Sequence, residues 1–172
     1  IMSYRPMEGI EMLKNNGLLS YVIRETEVMI CVGQNGAHIY DVWEHCLRAL
    51  QHSADKGTGL EIRLGALLHD VGKPKTKRLD PIKKDYTFYG HEVVGARIAK
   101  QTLKNLKFPQ KTIDTVEKLV RNHMFFSDTD QITLSAVRRI IAKVGPDLVW
   151  DLMTVRACDR IGMGRPKEDP YR

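Results

Sequence analysis

The sequence predicts an all-α fold: a single helical bundle, with at most a short hairpin in residues 75–89. Three observations lead there. Apolar residues recur at three- and four-residue spacing along nearly the whole chain. The breaks between these stretches are short and carry helix-stop chemistry: Asn15-Asn16-Gly17, Gly57-Thr58-Gly59 and Gly145-Pro146-Asp147. The 172-residue length suits one domain with a real core, and 42% hydrophobic against 28% charged residues excludes wholesale disorder.

Along the chain, residues 7–15 predict a short amphipathic helix closed by Asn15-Asn16-Gly17. Gly17–Val28 is apolar enough to pack and predicts a second short helix, and Gly33-Gln34-Asn35-Gly36 reads as a loop. A long helix is expected from about Ile39 to Lys56. The next runs over residues 60–70 and ends at Gly72-Lys73-Pro74, because the residue before proline resists helical torsions. Lys75–Tyr89 is polar and charged, an exposed loop or a hairpin around Tyr86-Thr87-Phe88. Helices follow at about 91–106, 109–125 and 133–144, with Pro109 in a first turn and Thr133 or Ser135 as a cap. Gly145-Pro146-Asp147 opens a last helix to about Gly162. The expected organisation is an N-terminal helical lead-in over 1–32 packed on a core domain over 33–165, with a tail at 166–172. The ends, Ile1-Met2 and Pro170-Tyr171-Arg172, read as those of a piece of a longer protein or as a cloning remnant.

Composition narrows the setting. The net charge of +6 suits an anionic partner such as RNA or phosphate esters, and also occurs in proteins that bind neither. No apolar run approaches the roughly 18 residues of a bilayer span, so no membrane partner is expected. Cys31, Cys46 and Cys158 form no CxxC pair and are odd in number, which predicts a reduced, cytoplasmic protein. Cys46 and Cys158 read as small buried hydrophobes.

The residues that break the apolar pattern carry the chemistry. Positions i, i+3, i+4 and i+7 of a helix share a face. The stripe Leu148, Leu152, Val155 continues to Asp159, and the stripe Ile113, Val116, Val120 continues to His123. Val94 and Ile98 lead back to His91, Val42 and Ala49 flank His45, and His69-Asp70 end a helix carrying Leu60, Leu64, Leu67 and Leu68. Six groups able to bind metal are therefore expected to point inward from five helices. A lone buried carboxylate costs several kcal/mol and takes up a proton or a partner; a cation shared by four imidazoles and two carboxylates supplies one. Taken singly, an inward histidine is ordinary core, and Asp159 has Arg156 and Arg160 beside it as salt-bridge partners. His38 and His52 lie about 10.5 Å from His45 along a helix extended that far, whereas ligand bonds are roughly 2 Å, so neither is expected to share its ion. His52 reads as a surface residue and His38 as a contact for a substrate phosphate.

His45, the doublet in Ala66-Leu67-Leu68-His69-Asp70-Val71-Gly72-Lys73, and Asp159 resemble the H…HD…D signature of HD-domain metal-dependent phosphohydrolases. A narrower resemblance is to the HD domain of bacterial tRNA nucleotidyltransferases, the CCA-adding enzymes. It is carried by Gly17-Leu18-Leu19, Gly33-Gln34-Asn35, His38, Asp41-Val42-Trp43-Glu44-His45, Tyr89-Gly90-His91-Glu92-Val93-Val94-Gly95-Ala96, Val120-Arg121-Asn122-His123 and Arg156-Ala157-Cys158-Asp159-Arg160. The glycine-serine loop and paired-aspartate strand of the full enzyme are missing. Asp128-Thr129-Asp130 spells Asp-x-Asp but reads as an ordinary polar connection, so CCA addition is not expected of this chain.

The resemblance implies an all-α HD bundle and a metal-dependent phosphohydrolase acting on nucleotide or RNA phosphate esters, with tRNA among the implied partners. It implies that His45, His69, Asp70 and Asp159 hold a divalent ion, with manganese, iron, nickel, cobalt, zinc and magnesium all compatible with nitrogen and oxygen ligands. Asp70 would also orient a water. His91 and His123 would complete a second site; their alternative role is to bind the phosphate or protonate the leaving oxygen. Lys73, His38 and Arg160 are the expected substrate contacts, with Lys73 either a phosphate clamp or a solvated lysine at a helix end. Lys75, Lys77, Arg78, Lys83 and Lys84 would draw in phosphates if their loop borders the site, and Phe125 and Phe126 would stack on a base or pack in the core. Two other readings stay open: a non-catalytic tRNA-binding HD module and a di-iron HD-fold oxygenase.

Overall fold

The computed structural model describes residues 1–36, 38–126 and 132–164, the Phe126 side chain excepted; Asp128-Thr129-Asp130 and the 166–172 tail fall outside them. The described chain is a helical bundle with one short antiparallel hairpin, as predicted. Helices α1 (Pro6–Asn15) and α2 (Leu19–Ile23) lead through a 3-10 turn to α3 (Val42–Asp55) and α4 (Leu60–Leu68). A short α5 (Lys73–Thr76) precedes strands β1 (Arg78–Asp80) and β2 (Asp85–Thr87), which pair Leu79 with Tyr86. Then come α6 (His91–Asn105), α7 (Gln110–Asn122) with a 3-10 turn over His123–Phe126, α8 (Leu134–Val144) and α9 (Pro146–Gly162).

Two boundaries differ from the sequence reading for local reasons. Helix α3 starts at Val42 rather than near Ile39 because Asp41 caps it: Oδ1 accepts the Glu44 amide hydrogen at 2.8 Å, and Oδ2 accepts that of Cys31 at 2.7 Å. His38 is thereby left in the preceding loop. Helix α5 was not expected at all. Pro74 does not end a helix there; it lies in the first turn of a new one, where its missing amide hydrogen costs nothing.

Helix α3 packs on α4 and α9, α4 also touches α7 and α9, and α6 lies against α7. The main core runs from Ile10, Leu19 and Met29 through Leu47 and Leu50 of α3 and Leu67 and Leu68 of α4 to Leu103 and Val116. A second cluster joins Leu119 to Ile140, Val144, Leu152 and Val155. Buried Arg63 fastens the N-terminal segment, donating to the carbonyls of Ile1 (3.0 Å) and Ser3 (2.9 Å). No helix among the described residues is long and apolar enough to cross a membrane.

Helix α6 departs from its expected stripe. Val94 and Ile98 are half-buried, and the fully covered face is His91, Gly95, Ala99 and Leu103. Small residues on that face let the turn after α4 come to backbone contact. A Cβ added to Gly72 would lie 2.6 Å from the Gly95 nitrogen and would drive into the His91 carbonyl oxygen. Gly72→Ala is expected to destabilise the fold by about 3 kcal/mol through overpacking, lowering Tm by roughly 6–12 °C for a chain of this size. An unchanged Tm in a thermal melt would contradict the packing described.

Candidate metal centre

Six side chains from five elements meet in the interior, and all are buried: His45 on α3, His69 and Asp70 just past α4, His91 at the start of α6, His123 at the end of α7 and Asp159 on α9. Their ligand atoms form two groups. His45, His69, Asp70 and Asp159 make one, and Asp70, His91 and His123 the other. Asp70 belongs to both through different oxygens. Its Oδ2 lies 3.2 Å from His45 Nε2 and 3.3 Å from His69 Nε2, while Oδ1 lies 3.3 Å from His91 Nε2 and 3.8 Å from His123 Nε2. Asp159 Oδ1 closes the first group at 3.1 Å from His45 and 3.5 Å from His69.

The backbone sets the direction of three imidazoles. Nδ1 of His69, His91 and His123 lies 2.7–2.8 Å from the carbonyl oxygens of Ala66, Phe88 and Val120. A carbonyl only accepts, so each Nδ1 carries the hydrogen and Nε2 is turned toward the centre. Such a hydrogen bond is the usual support of a metal-bound histidine. Nε2 of His91 and Nε2 of His123 face each other at 3.2 Å. As neutral rings they would oppose two lone pairs, which a bound cation, or a proton on one of the rings, relieves. The donor set thus fits one or two divalent ions.

The charges are arranged for the same purpose. Burial would raise the Asp70 carboxyl, but Lys73 and the imidazoles hold it well below the carboxylate range. Burial would likewise raise Asp159, and the hydrogen bonds of His45 and His69 hold it down. For His69, burial works downward, yet Asp70 and Asp159 lift its imidazole to about 10. Burial and the His69 charge press His123 down to about 3, which leaves it neutral with a free lone pair. Filling the first group must therefore expel the His69 proton. Metal affinity is expected to rise with pH below about 10, by roughly tenfold per unit for one released proton. Titration calorimetry in buffers of different ionisation enthalpy checks this, and uptake without proton release would contradict it.

Three neighbours expected at the substrate occupy distinct places. Lys73 is buried at the cavity wall rather than solvated: Nζ sits 2.6 Å from Asp70 Oδ2 and donates to Gln34 Oε1 at 2.5 Å. His38 folds back over the centre, its ring centroid 5.2 Å from that of His45, so the helical spacing used to separate them does not apply. Arg160 is half-buried and does not line the cavity; Arg156 does, paired with Asp159. In the sequence, Arg156 reads as a salt-bridge partner and as part of the resemblance, not as a substrate contact; its place four residues from Leu152 on α9 was the available clue. His52 is half-buried in the last turn of α3. Phe125 packs against the second core cluster. Burial drives the thiols of Cys46 and Cys158 upward, the latter to about 12, so both are inert core groups.

Asp70, Asp159, His91 and His123 line a cavity of about 710 Å³ together with Lys73 and Arg156; His45 and His69 are not part of its lining. The hairpin region borders it through Lys83, Asp85, Tyr86 and Tyr89, whereas Lys75, Lys77, Arg78 and Lys84 are not in its lining. Residues 42–161 match the HD domain family.

The chain belongs to the HD-domain family.

This HD domain is 38% identical over 163 residues to the CC-adding tRNA nucleotidyltransferase of Thermus thermophilus, which covers 94% of this chain and 37% of that protein. It is 34% identical over 154 residues to the A-adding tRNA nucleotidyltransferase of Deinococcus radiodurans, covering 88% and 35%. With a multifunctional CCA protein of Neisseria gonorrhoeae it shares 27% identity over 177 residues, covering 99% and 42%. The HD domain described here thus spans well under half the length of these relatives.

Proposed function

We propose that this chain is a metal-dependent phosphohydrolase acting on phosphate esters of nucleotides or RNA ends, as a phosphatase or a 2′,3′-cyclic phosphodiesterase. One observation carries the reading: Asp70, which lines the cavity, presents one oxygen to each of two buried ligand groups. We further assign residues 33–165 as the HD unit and 1–32 as its lead-in, the HD part of a tRNA nucleotidyltransferase-like protein. The similarity to such enzymes supports this.

His45, His69, Asp70 and Asp159 would hold the first ion, and His91 and His123 with Asp70 the second. A divalent ion supplies Lewis acidity toward a phosphoryl oxygen and lowers the pKa of a water toward neutrality. The protein's own groups do the rest. Asp70, fixed by Lys73, orients the attacking water. The neutrality of buried His123 suits it to ligation rather than to donating a proton. Arg156 and Lys73, both at the cavity wall, bring positive charge to the ester. His38 donates from Nδ1 to Asn35 Oδ1 at 3.0 Å, and burial beside Lys73 holds it down at about 4. A neutral imidazole with an open acceptor suits a substrate hydroxyl better than a phosphate oxygen.

The assay is hydrolysis of nucleoside monophosphates and 2′,3′-cyclic nucleotides with added manganese, nickel or cobalt. The proposal expects turnover that depends on the ion and disappears with chelator. Salt-sensitive RNA binding without turnover would instead favour a silent binding module, and oxygen consumption with a non-phosphorylated compound an oxygenase.

A further inference from the structure

The hairpin between α5 and α6 is built like an arm. Its base is fastened: Lys77 Nζ donates to the Gly33 carbonyl at 2.6 Å, the Gly36 amide donates to Asp85 Oδ2 at 3.2 Å, and Phe88 is buried. Its outer part is bare. Ile82 is 91% exposed, Leu79 65% and Tyr89 77%, three large side chains of the arm left in water. Residues 75–89 carry Lys75, Lys77, Arg78, Lys83 and Lys84 against Asp80 and Asp85. The Asp80 carboxylate is turned into the hairpin, accepting the amide hydrogens of Ile82 (2.9 Å) and Lys83 (3.0 Å). Asp85 likewise accepts the amide hydrogens of Gly36 and Tyr86, so both acids of the arm are engaged by backbone amides while Lys75, Arg78, Lys83 and Lys84 are exposed.

Aromatic rings interleave with these charges. Tyr86 has the Lys77 ammonium 3.8 Å from its ring centre, so that ring is engaged. Tyr89 is open, lines the cavity, and stands two residues before His91. The left-handed Gly90 between them (φ 78°) turns the chain from the exposed ring to the buried ligand. Exposed cations beside an open aromatic face are what an unpaired polynucleotide requires: phosphates for the first and an unstacked base for the second. A paired base offers no face to Tyr89.

We propose that the 75–89 hairpin and Tyr89 form a single-strand RNA arm, which holds the nucleotides leading up to the one whose phosphate enters the cavity. This rests on the phosphohydrolase reading for the fate of the terminal phosphate, but binding is testable apart from it. The probe is fluorescein-labelled octaadenylate RNA ending in a 3′-hydroxyl, so no phosphate is available for removal. Fluorescence anisotropy against salt is measured for the whole chain, for Tyr89→Ala and for Lys75→Ala/Lys84→Ala, both lysines being exposed.

Three results are expected. Octaadenylate binds more tightly than a duplex of the same length. Tyr89→Ala weakens binding roughly tenfold with its salt slope unchanged. The double lysine variant flattens the slope of log affinity against log salt by about 1.4, for two lost phosphate contacts. Duplex binding as tight as single-strand binding would overturn the proposal, as would variants that leave affinity and slope at the wild-type values. Absence of hydrolysis on nucleotides would remove the phosphohydrolase reading alone.

Discussion

Asp70→Ala is expected to remove both metal groups at once and to reduce hydrolysis by on the order of 10³-fold or more, about 4 kcal/mol of transition-state stabilisation. No other ligand has this reach, because Asp70 alone presents one oxygen to His45 and His69 and the other to His91 and His123. His123→Ala, by contrast, touches only the second group and should leave the first ion in place. The substitution also acts on the metal-free protein. Lys73 is buried and loses its anion, and an orphaned buried charge costs about 3–5 kcal/mol. Metal analysis, rates and Tm of Asp70→Ala together test the assignment. Two equivalents of bound metal with near-normal rates would refute Asp70 as the shared ligand.

A divalent ion should also be a large part of the stability. A ligand that binds only the folded state adds about 4 kcal/mol at a thousand times its Kd, or roughly 8–16 °C in Tm for a chain of this size. The ligands lie far apart in sequence, from His45 to Asp159, so the unfolded chain offers no comparable site. Differential scanning fluorimetry with manganese, nickel, cobalt or zinc should show the shift in the native protein and lose it in Asp70→Ala. Equal shifts in both would assign the effect to surface binding.

Periodicity made the centre readable. Asp159 and His123 stood out because each continues an apolar stripe to a polar side chain, and both are buried as that pattern demands. The doublet at 69–70 was legible for the same reason, at the end of a leucine-rich helix. What escaped was set by local backbone chemistry or by contacts across the fold. Asp41 caps α3 and frees His38 to fold onto His45, a capping choice that an apolar stripe cannot register. Pro74 looks like a helix end and serves as a helix start. The buried face of α6 was only partly legible because Gly95, which carries almost no hydrophobic signal, is where Gly72 and its turn press in. Lys73 looked like a free clamp because nothing in its neighbourhood announces Gln34, distant in sequence, as its partner.

The most direct test of the central claim is an anomalous difference map from a crystal soaked in manganese. A peak is expected roughly 2 Å from the Nε2 atoms of His45 and His69 and from carboxylate oxygens of Asp70 and Asp159, with a second beside His91 and His123. A map with peaks only at the surface, and with the four buried imidazoles in contact solely with protein atoms, would contradict it.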